Sequence, residues 1–153
     1  MVEIRLLRAD EIDAVTSVLG LARLHQGDGF YLVAWHDDQP VGHLHLALTD
    51  PPELQDVSVR EECRRDGVAT AMTAHAETEA RAHGFDRMRL TVSVDNHAAQ
   101  SLYRKCGYTD AGVAPKRVKG TIQIRTGPID VDDTLLTWEK RLEPEGATTR
   151  GRE

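Results

Sequence analysis

Arg64-Arg65-Asp66-Gly67-Val68-Ala69 stands between an apolar stretch, Leu54 to Val59, and a helix-like run, Thr70 to His83. A strand, a short turn with one glycine and a helix N-terminus make an anion socket, because the first turn of a helix leaves backbone N–H groups unpaired and aimed outward. A phosphate is the expected occupant. Further on, Asp95-Asn96-His97-Ala98-Ala99-Gln100-Ser101-Leu102-Tyr103-Arg104-Lys105-Cys106-Gly107-Tyr108 supplies a second strand-to-helix turn.

Around these two turns the chain alternates strands and helices. Val2 to Leu7 reads as a first strand, and Asp10 as the N-cap of a helix over Glu11 to Leu19 with Ile12, Val15 and Leu19 on one face. Phe30 to Trp35 and Val41 to Leu48 form an antiparallel hairpin about the turn Asp37-Asp38-Gln39-Pro40. Pro51-Pro52 forces a break before the strand Leu54 to Val59, where alternation sets Glu53, Gln55, Val57 and Val59 on one face and Asp56 and Ser58 on the other.

The helix that begins near Gly67 carries Val68, Met72, Ala76 and Ala80 on one stripe and stops at Gly84. Glu77 and Arg81 are expected to pair on its wet side. Arg87 to Val94 is the next strand, Ala98 to Cys106 the next helix, and Gly107 ends it. Val118 to Thr126 and Thr134 to Leu142 are strand-like, joined by a loop with Gly127-Pro128, Asp130, Asp132 and Asp133. Residues 1–142 thus make one α/β (α+β mixed) domain, a central mixed β-sheet flanked by helices. Residues 143–153, rich in Glu, Pro, Gly, Thr and Arg, read as a disordered tail.

At 153 residues such a domain buries roughly 70% of the surface its unfolded chain exposes, so it needs no disulfide or metal staple. With 19 basic and 25 acidic side chains the net charge is −6, which argues against a nucleic-acid partner and suits a cationic one. The N-terminal residues lack the apolar core of a signal peptide, and no run approaches the ~20 apolar residues of a membrane helix, so the expected compartment is the cytoplasm with no membrane partner. Cys63 and Cys106 have no His or Cys at metal-ligand spacing, and no metal is expected. Cys63 beside Arg64 and Arg65 is either a thiol of lowered pKa or, more commonly for cysteine, a small packing residue.

The pattern Arg64, Gly67, Ala69 at the turn, followed by Asn96, Ala99, Tyr103 and Gly107, resembles the GNAT (Gcn5-related N-acetyltransferase) superfamily. Ala69 stands where a glycine is commoner in that family. The resemblance covers nearly all of residues 2–142 and implies acetyl-CoA as acyl donor and a primary amine, on a small molecule or a protein, as acceptor. It implies attack in a ternary complex without a covalent enzyme intermediate. The cofactor-binding positions it carries over are Val57, Val59, Arg64, Arg65, Asp66, Gly67, Val68, Ala69, Thr70, Asn96, Ala99 and Tyr103. By the same resemblance, the Val57 amide is the expected donor to the thioester carbonyl, Val59 the expected partner of the pantetheine arm, and Tyr103 the expected acid for the leaving thiolate.

Glu53 lies eleven positions before Arg64, where histone-type members carry a catalytic glutamate. It is read as general base or, beside Pro51-Pro52, as a solvated carboxylate in an enzyme that deprotonates through water. His43 and His45 share a strand face without a third metal ligand nearby, which leaves face-lining or acceptor contact. The acceptor is expected against residues 20–29, the strand after Val41 and the loop 125–133. Relatives are often dimers, so a homodimer is an implied assembly. A coenzyme A-binding sensor without turnover is the alternative function.

Overall fold

The computed structural model describes residues 2–21, 29–124 and 127–143, and of 122–124 and 127 the backbone alone. Among these residues eight strands form one sheet in the order β1-β2-β3-β4-β5-β8-β6, with β7 on β8. They are β1 (Glu3–Leu6), β2 (Gly29–His36), β3 (Gln39–Ala47), β4 (Glu53–Val59), β5 (Arg87–Ser93), β6 (Thr109–Asp110), β7 (Lys116–Ile124) and β8 (Gly127–Arg141). The helices are α1 (Ile12–Leu19), α2 (Val68–Ala82) and α3 (His97–Lys105). The mixed α/β architecture read from the sequence is the one observed. Every strand pair is antiparallel except β4 with β5.

The sheet separates two apolar layers. On one face α2 lays Val68, Met72, Ala76 and Ala80, the stripe expected from its 3.6-residue period, against Leu32, Leu44, Leu46, Leu54, Val59, Met88 and Leu90. On the other face α1 brings Val15 to Tyr31 and Val33. Burying a side chain as completely as Met72 stabilises by about 1.5–3 kcal/mol, so this stripe holds α2 firmly and with it the turn that precedes it. The β2–β3 hairpin turns on Asp37 and Asp38, both at positive φ (52° and 66°), the geometry that matches strand twist.

Several local expectations are corrected. Asp10 is not the N-cap of α1: a short 3₁₀ turn, Ala9–Glu11, precedes the helix, and the Arg8 N–H donates to Glu11 Oε1 at 3.1 Å. Glu77 is not on the wet side of α2. It is 6% exposed and accepts hydrogen bonds from the Tyr108 hydroxyl and Lys140 Nζ, both at 2.9 Å, while Arg81 donates to Thr78. The segment from Gly127 to Asp133 is strand rather than loop. It pairs with β7 from Ile124↔Gly127 to Lys116↔Leu135, so β8 serves β7 with its first half and β5 with its second. Of the expected tail only Glu143 falls among the described residues.

Candidate active site

β4 and β5 run parallel, but their ladder holds only Glu53↔Arg89 and Leu54↔Leu90, after an Arg89 N–H bond to the Pro52 carbonyl. Beyond Leu54 the two strands part: β4 continues on β3 alone and β5 on β8. Sheet twist separates strands that no longer exchange hydrogen bonds, leaving the β5-facing edge of β4 open along Val57 and Val59. The chain then leaves Val59 through a 3₁₀ turn, Glu61–Cys63, that the sequence does not announce.

Arg65 and Gly67, at φ 76° and 78°, reverse the chain into α2. Arg64 Nε donates to the Val59 carbonyl at 3.0 Å, fastening the turn to the end of β4. The first intrahelical bond runs from the Ala71 N–H to the Gly67 carbonyl, so the amides just before Ala71 have no helical acceptor and point out of the N-terminus. Arg64, Arg65, Asp66, Gly67 and Thr70 are exposed, Ala69 is half-buried and Val68 is buried. A Cβ built on Gly67 meets nothing within 4 Å. The glycine is therefore required by its backbone angle, and the space above it is open for an anion to approach.

α3 follows β5 directly. Asn96 caps it, its Oδ1 accepting from the Ala99 N–H at 3.0 Å, and Gln100 Nε2 donates to the carbonyls of Ser93 and Val94, both at 3.0 Å, which ties the helix to the end of β5. Tyr103 is 7% exposed and lies in the same apolar cluster as Val57 and Val59. Its ring meets that of Tyr108 edge-on at 6.0 Å. Burial, with a smaller push from Cys106, raises its pKa to about 12. Thr70, in the first turn of α2, interacts with the Cys106 thiol at the end of α3, so the start of α2 lies against the C-terminal end of α3.

β4 departs from the expected alternation. Asp56 sits at φ 53° in a bulge, where β3 advances two residues, His43 to His45, against three on β4, Ser58 to Gln55. The parity switch turns Val57 and Val59 toward α2 and puts Asp56 on the α1 side with Glu53 and Gln55. There a polar cluster forms. Tyr31 donates to Asp56 Oδ2 at 2.9 Å, and His43 Nδ1 lies 3.7 Å from the same oxygen. His45 Nδ1 meets Gln55 Oε1 at 3.1 Å, and Gln55 Nε2 donates to Glu53 Oε1 at 2.7 Å. Burial lowers the pKa of His43, against an opposing pull from the Asp56 carboxylate.

A family profile described as the Acetyltransferase (GNAT) family matches residues 5–108. The chain belongs to the GNAT acetyltransferase family. Acetyl-CoA is the donor that family uses, and solved members carry the same fold. An IAA acetyltransferase from Bacillus cereus superposes with a TM-score of 0.71 at 21% identity, covering 93% of this chain and 100% of that one. The ribosomal-protein-S18-alanine N-acetyltransferase from Escherichia coli gives 0.72 at 15%, covering 97% and 98%. A putative streptothricin acetyltransferase from Bacillus anthracis, solved with acetyl coenzyme A, gives 0.68 at 17%, covering 93% and 100%. No curated protein matches the sequence.

In this GNAT domain Val57, Val59, Val68, Ala69, Ala99 and Tyr103 share one apolar cluster, Arg64 joins the turn at 64–67 to the end of β4, and Asn96 caps α3. Glu53 lies at the still-paired end of that strand pair. Among the described residues no group of three His, Cys, Asp or Glu side chains could hold a metal ion, and no helix is long and apolar enough to cross a membrane. Asp56 and Tyr31 are the members of the polar cluster that sequence reasoning missed. The available signal was Leu54, Val57 and Val59: strict alternation cannot bury all three on one face, so a bulge between Leu54 and Val57 was required. Of the expected acceptor segments, residues 22–28 and 125–126 lie outside the described residues.

Proposed function

We propose that the protein is an N-acetyltransferase that moves the acetyl group of acetyl-CoA to a primary amine by direct attack in a ternary complex. One observation carries the reading. An outward-pointing helix N-terminus opened by Gly67, an unpaired strand edge at Val57 and Val59, and a buried phenol at Tyr103 border a single gap in the sheet.

The amides of Arg65, Asp66, Gly67, Val68, Ala69 and Thr70, with the positive end of the α2 dipole, suit the diphosphate of coenzyme A. The open edge of β4 suits the pantetheine amides, which would add to the sheet as a short strand, with Val59 pairing to them. The Val57 N–H then stabilises the negative charge that grows on the thioester oxygen as the amine adds. Asn96 and Ala99 border the same ligand from the start of α3.

Tyr103 faces the leaving sulfur. A phenol with a pKa of about 12 is fully protonated at pH 7. Handing its proton completely to a thiolate whose conjugate acid has a pKa of ~8.5 is uphill by about 5 kcal/mol. The role that fits is donation of a strong hydrogen bond as the carbon–sulfur bond breaks, with the proton moving late. A lysine-like acceptor, with a pKa of ~10.4, must itself lose a proton, and the carboxylates Glu53 and Asp56 stand on the α1 side of β4 to receive it.

The acceptor is an amine of a small molecule or of a protein. The relatives described as acting on a ribosomal-protein alanine and on streptothricin indicate that this fold serves both kinds. A thiol-release assay with acetyl-CoA and a panel of alkylamines, polyamines and lysine-terminated peptides tests the reading. Acceptor-dependent release of free thiol is expected. Tight acetyl-CoA binding with no release for any amine would favour the sensor alternative instead.

A further inference from the structure

No hydrogen bond among the described residues reaches the Tyr103 hydroxyl, so the direction of this phenol is set by what its ring packs against. One neighbour is Tyr108, whose ring meets it edge-on with centroids 6.0 Å apart. The backbone ties the same two residues. α3 ends with Gly107 at φ 101°, the Gly107 N–H donating to the Arg104 carbonyl at 3.0 Å and the Tyr108 N–H to the Tyr103 carbonyl at 2.9 Å. This is the bond pair of a Schellman cap, in which the residue after the glycine commonly packs on the residue whose carbonyl it caps. Tyr103 and Tyr108 thus form one unit at the end of α3.

A plain apolar side chain would complete that cap. Here the contact is made instead by a fully buried tyrosine whose hydroxyl donates to Glu77 Oε2 on α2, and the other oxygen of that buried carboxylate accepts from Lys140 Nζ on β8. The ammonium also lies 5.9 Å from the centroid of the Tyr108 ring. Taking a carboxylate and an ammonium out of water is costly, and apolar residues of similar volume often give equal or greater stability. What a satisfied buried network adds is one geometry: the hydroxyl has a single acceptor, and that acceptor is held from its far side. The plane and depth of the Tyr108 ring are therefore fixed by α2 and β8, not by the helix that carries Tyr103. Two further contacts brace the same segment, Thr70 on the Cys106 thiol and the Arg104 guanidinium 5.1 Å over the Trp138 ring of β8.

We propose that Tyr108, fixed by Glu77 and Lys140, is a positioning residue for the transfer: it holds the Tyr103 hydroxyl at the breaking carbon–sulfur bond. The assignment rests on the transferase reading above and refines it. No bond forms or breaks at Tyr108, Glu77 or Lys140, and their effect on the chemistry passes through the ring of Tyr103. A misplacement of about 1 Å at a reacting centre costs on the order of 10²-fold in rate. Tyr108→Phe keeps its ring but loses its fixed point, so the shift is a fraction of that distance and a loss of about tenfold is expected.

The test measures kcat and KM for thiol release by the full chain, with acetyl-CoA and the amine of the panel that turns over fastest, at a temperature where circular dichroism shows each variant folded. Tyr108→Phe should lower kcat about tenfold and leave KM for both substrates within about 2-fold. In the Tyr103→Phe background the same change should cost less than about 2-fold, because the hydroxyl it serves is gone. A Tyr108 that only stabilised the fold would act on kcat by one and the same factor in both backgrounds. Glu77→Met combined with Lys140→Met removes the acceptor together with its counter-charge, a replacement that buried ion pairs often tolerate. This double variant should reproduce the kcat loss, again only where Tyr103 is present, and it carries the test if Tyr108→Phe does not fold.

Equal factors with and without the Tyr103 hydroxyl, a loss that appears in KM rather than kcat, or a parent-like kcat in both Tyr108→Phe and Glu77→Met/Lys140→Met would overturn the assignment. Absence of thiol release by the parent protein with every amine would sink the transferase reading itself, a separate result.

Discussion

Tyr108→Phe isolates the internal clamp that joins α2 to the far side of the sheet. Tyr108 is fully buried, and its hydroxyl donates to Glu77 Oε2 at 2.9 Å, while Lys140 from β8 donates to the other oxygen at the same distance. Hydrogen bonds to a charged acceptor contribute about 1.5–3 kcal/mol, and removing only the hydroxyl leaves the ring packing unchanged. The expected loss is about 2 kcal/mol, a fall in Tm of roughly 4–8 °C for a domain of this size. Lys140→Met, which leaves the carboxylate with the phenol as its remaining clamp partner, should cost about 2–3 kcal/mol, moderated because Lys140 is 30% exposed. Urea denaturation of Tyr108→Phe, Glu77→Gln and the double variant measures the coupling, expected at about 1 kcal/mol or more. A coupling near zero, with Tyr108→Phe as stable as the parent, would refute the clamp.

Gly67→Ala should lose about 1 kcal/mol of stability, because its φ of 78° disfavours any side chain although space is open, and should weaken acetyl-CoA binding at least about tenfold; calorimetric titration reads both if paired with melting. Tyr103→Phe should lower kcat by one to three orders of magnitude with the acetyl-CoA dissociation constant within a few-fold, and unchanged turnover would remove Tyr103 from the chemistry. In acid, the Glu11 carboxyl is held at about 2, below its ordinary 4.5, chiefly by hydrogen bonds from Arg5. A depressed carboxylate stabilises the fold above pH 4.5 and loses that contribution as pH falls toward 2. Melting from pH 6 to 2 should therefore show about 1 kcal/mol, after solvent screening, that Arg5→Ala abolishes.

What the sequence made legible was local. The stripe Val68, Met72, Ala76, Ala80 has a helical period and nothing else to do, and Asp37-Asp38 tolerates the positive φ that its hairpin demands. The turn at residues 64–70 and the Asn96 cap were readable for the same reason: backbone geometry restricts which residues can stand there. Misreadings arose where a distant partner outweighed a local rule. Glu77 obeys the i, i+4 pattern with Arg81, yet its partners lie 31 and 63 positions away. Asp130, Asp132 and Asp133 have loop composition, but Thr121, Arg117 and Ser93 each take one up, so they hold the β7–β8 ribbon in register and fasten it to β5. Asp56 was hidden by the bulge, which only the pairing of β3 with β4 displays.

The central claim is that backbone amides at the start of α2 bind the diphosphate of the acyl donor. Titrating the protein calorimetrically with acetyl-CoA and with S-acetyl-pantetheine, which has the thioester arm but no diphosphate, isolates those contacts. Several charge-assisted hydrogen bonds predict that the truncated donor binds at least about 100-fold more weakly. Equal affinity for the two, or no binding of acetyl-CoA at millimolar concentration, would contradict it.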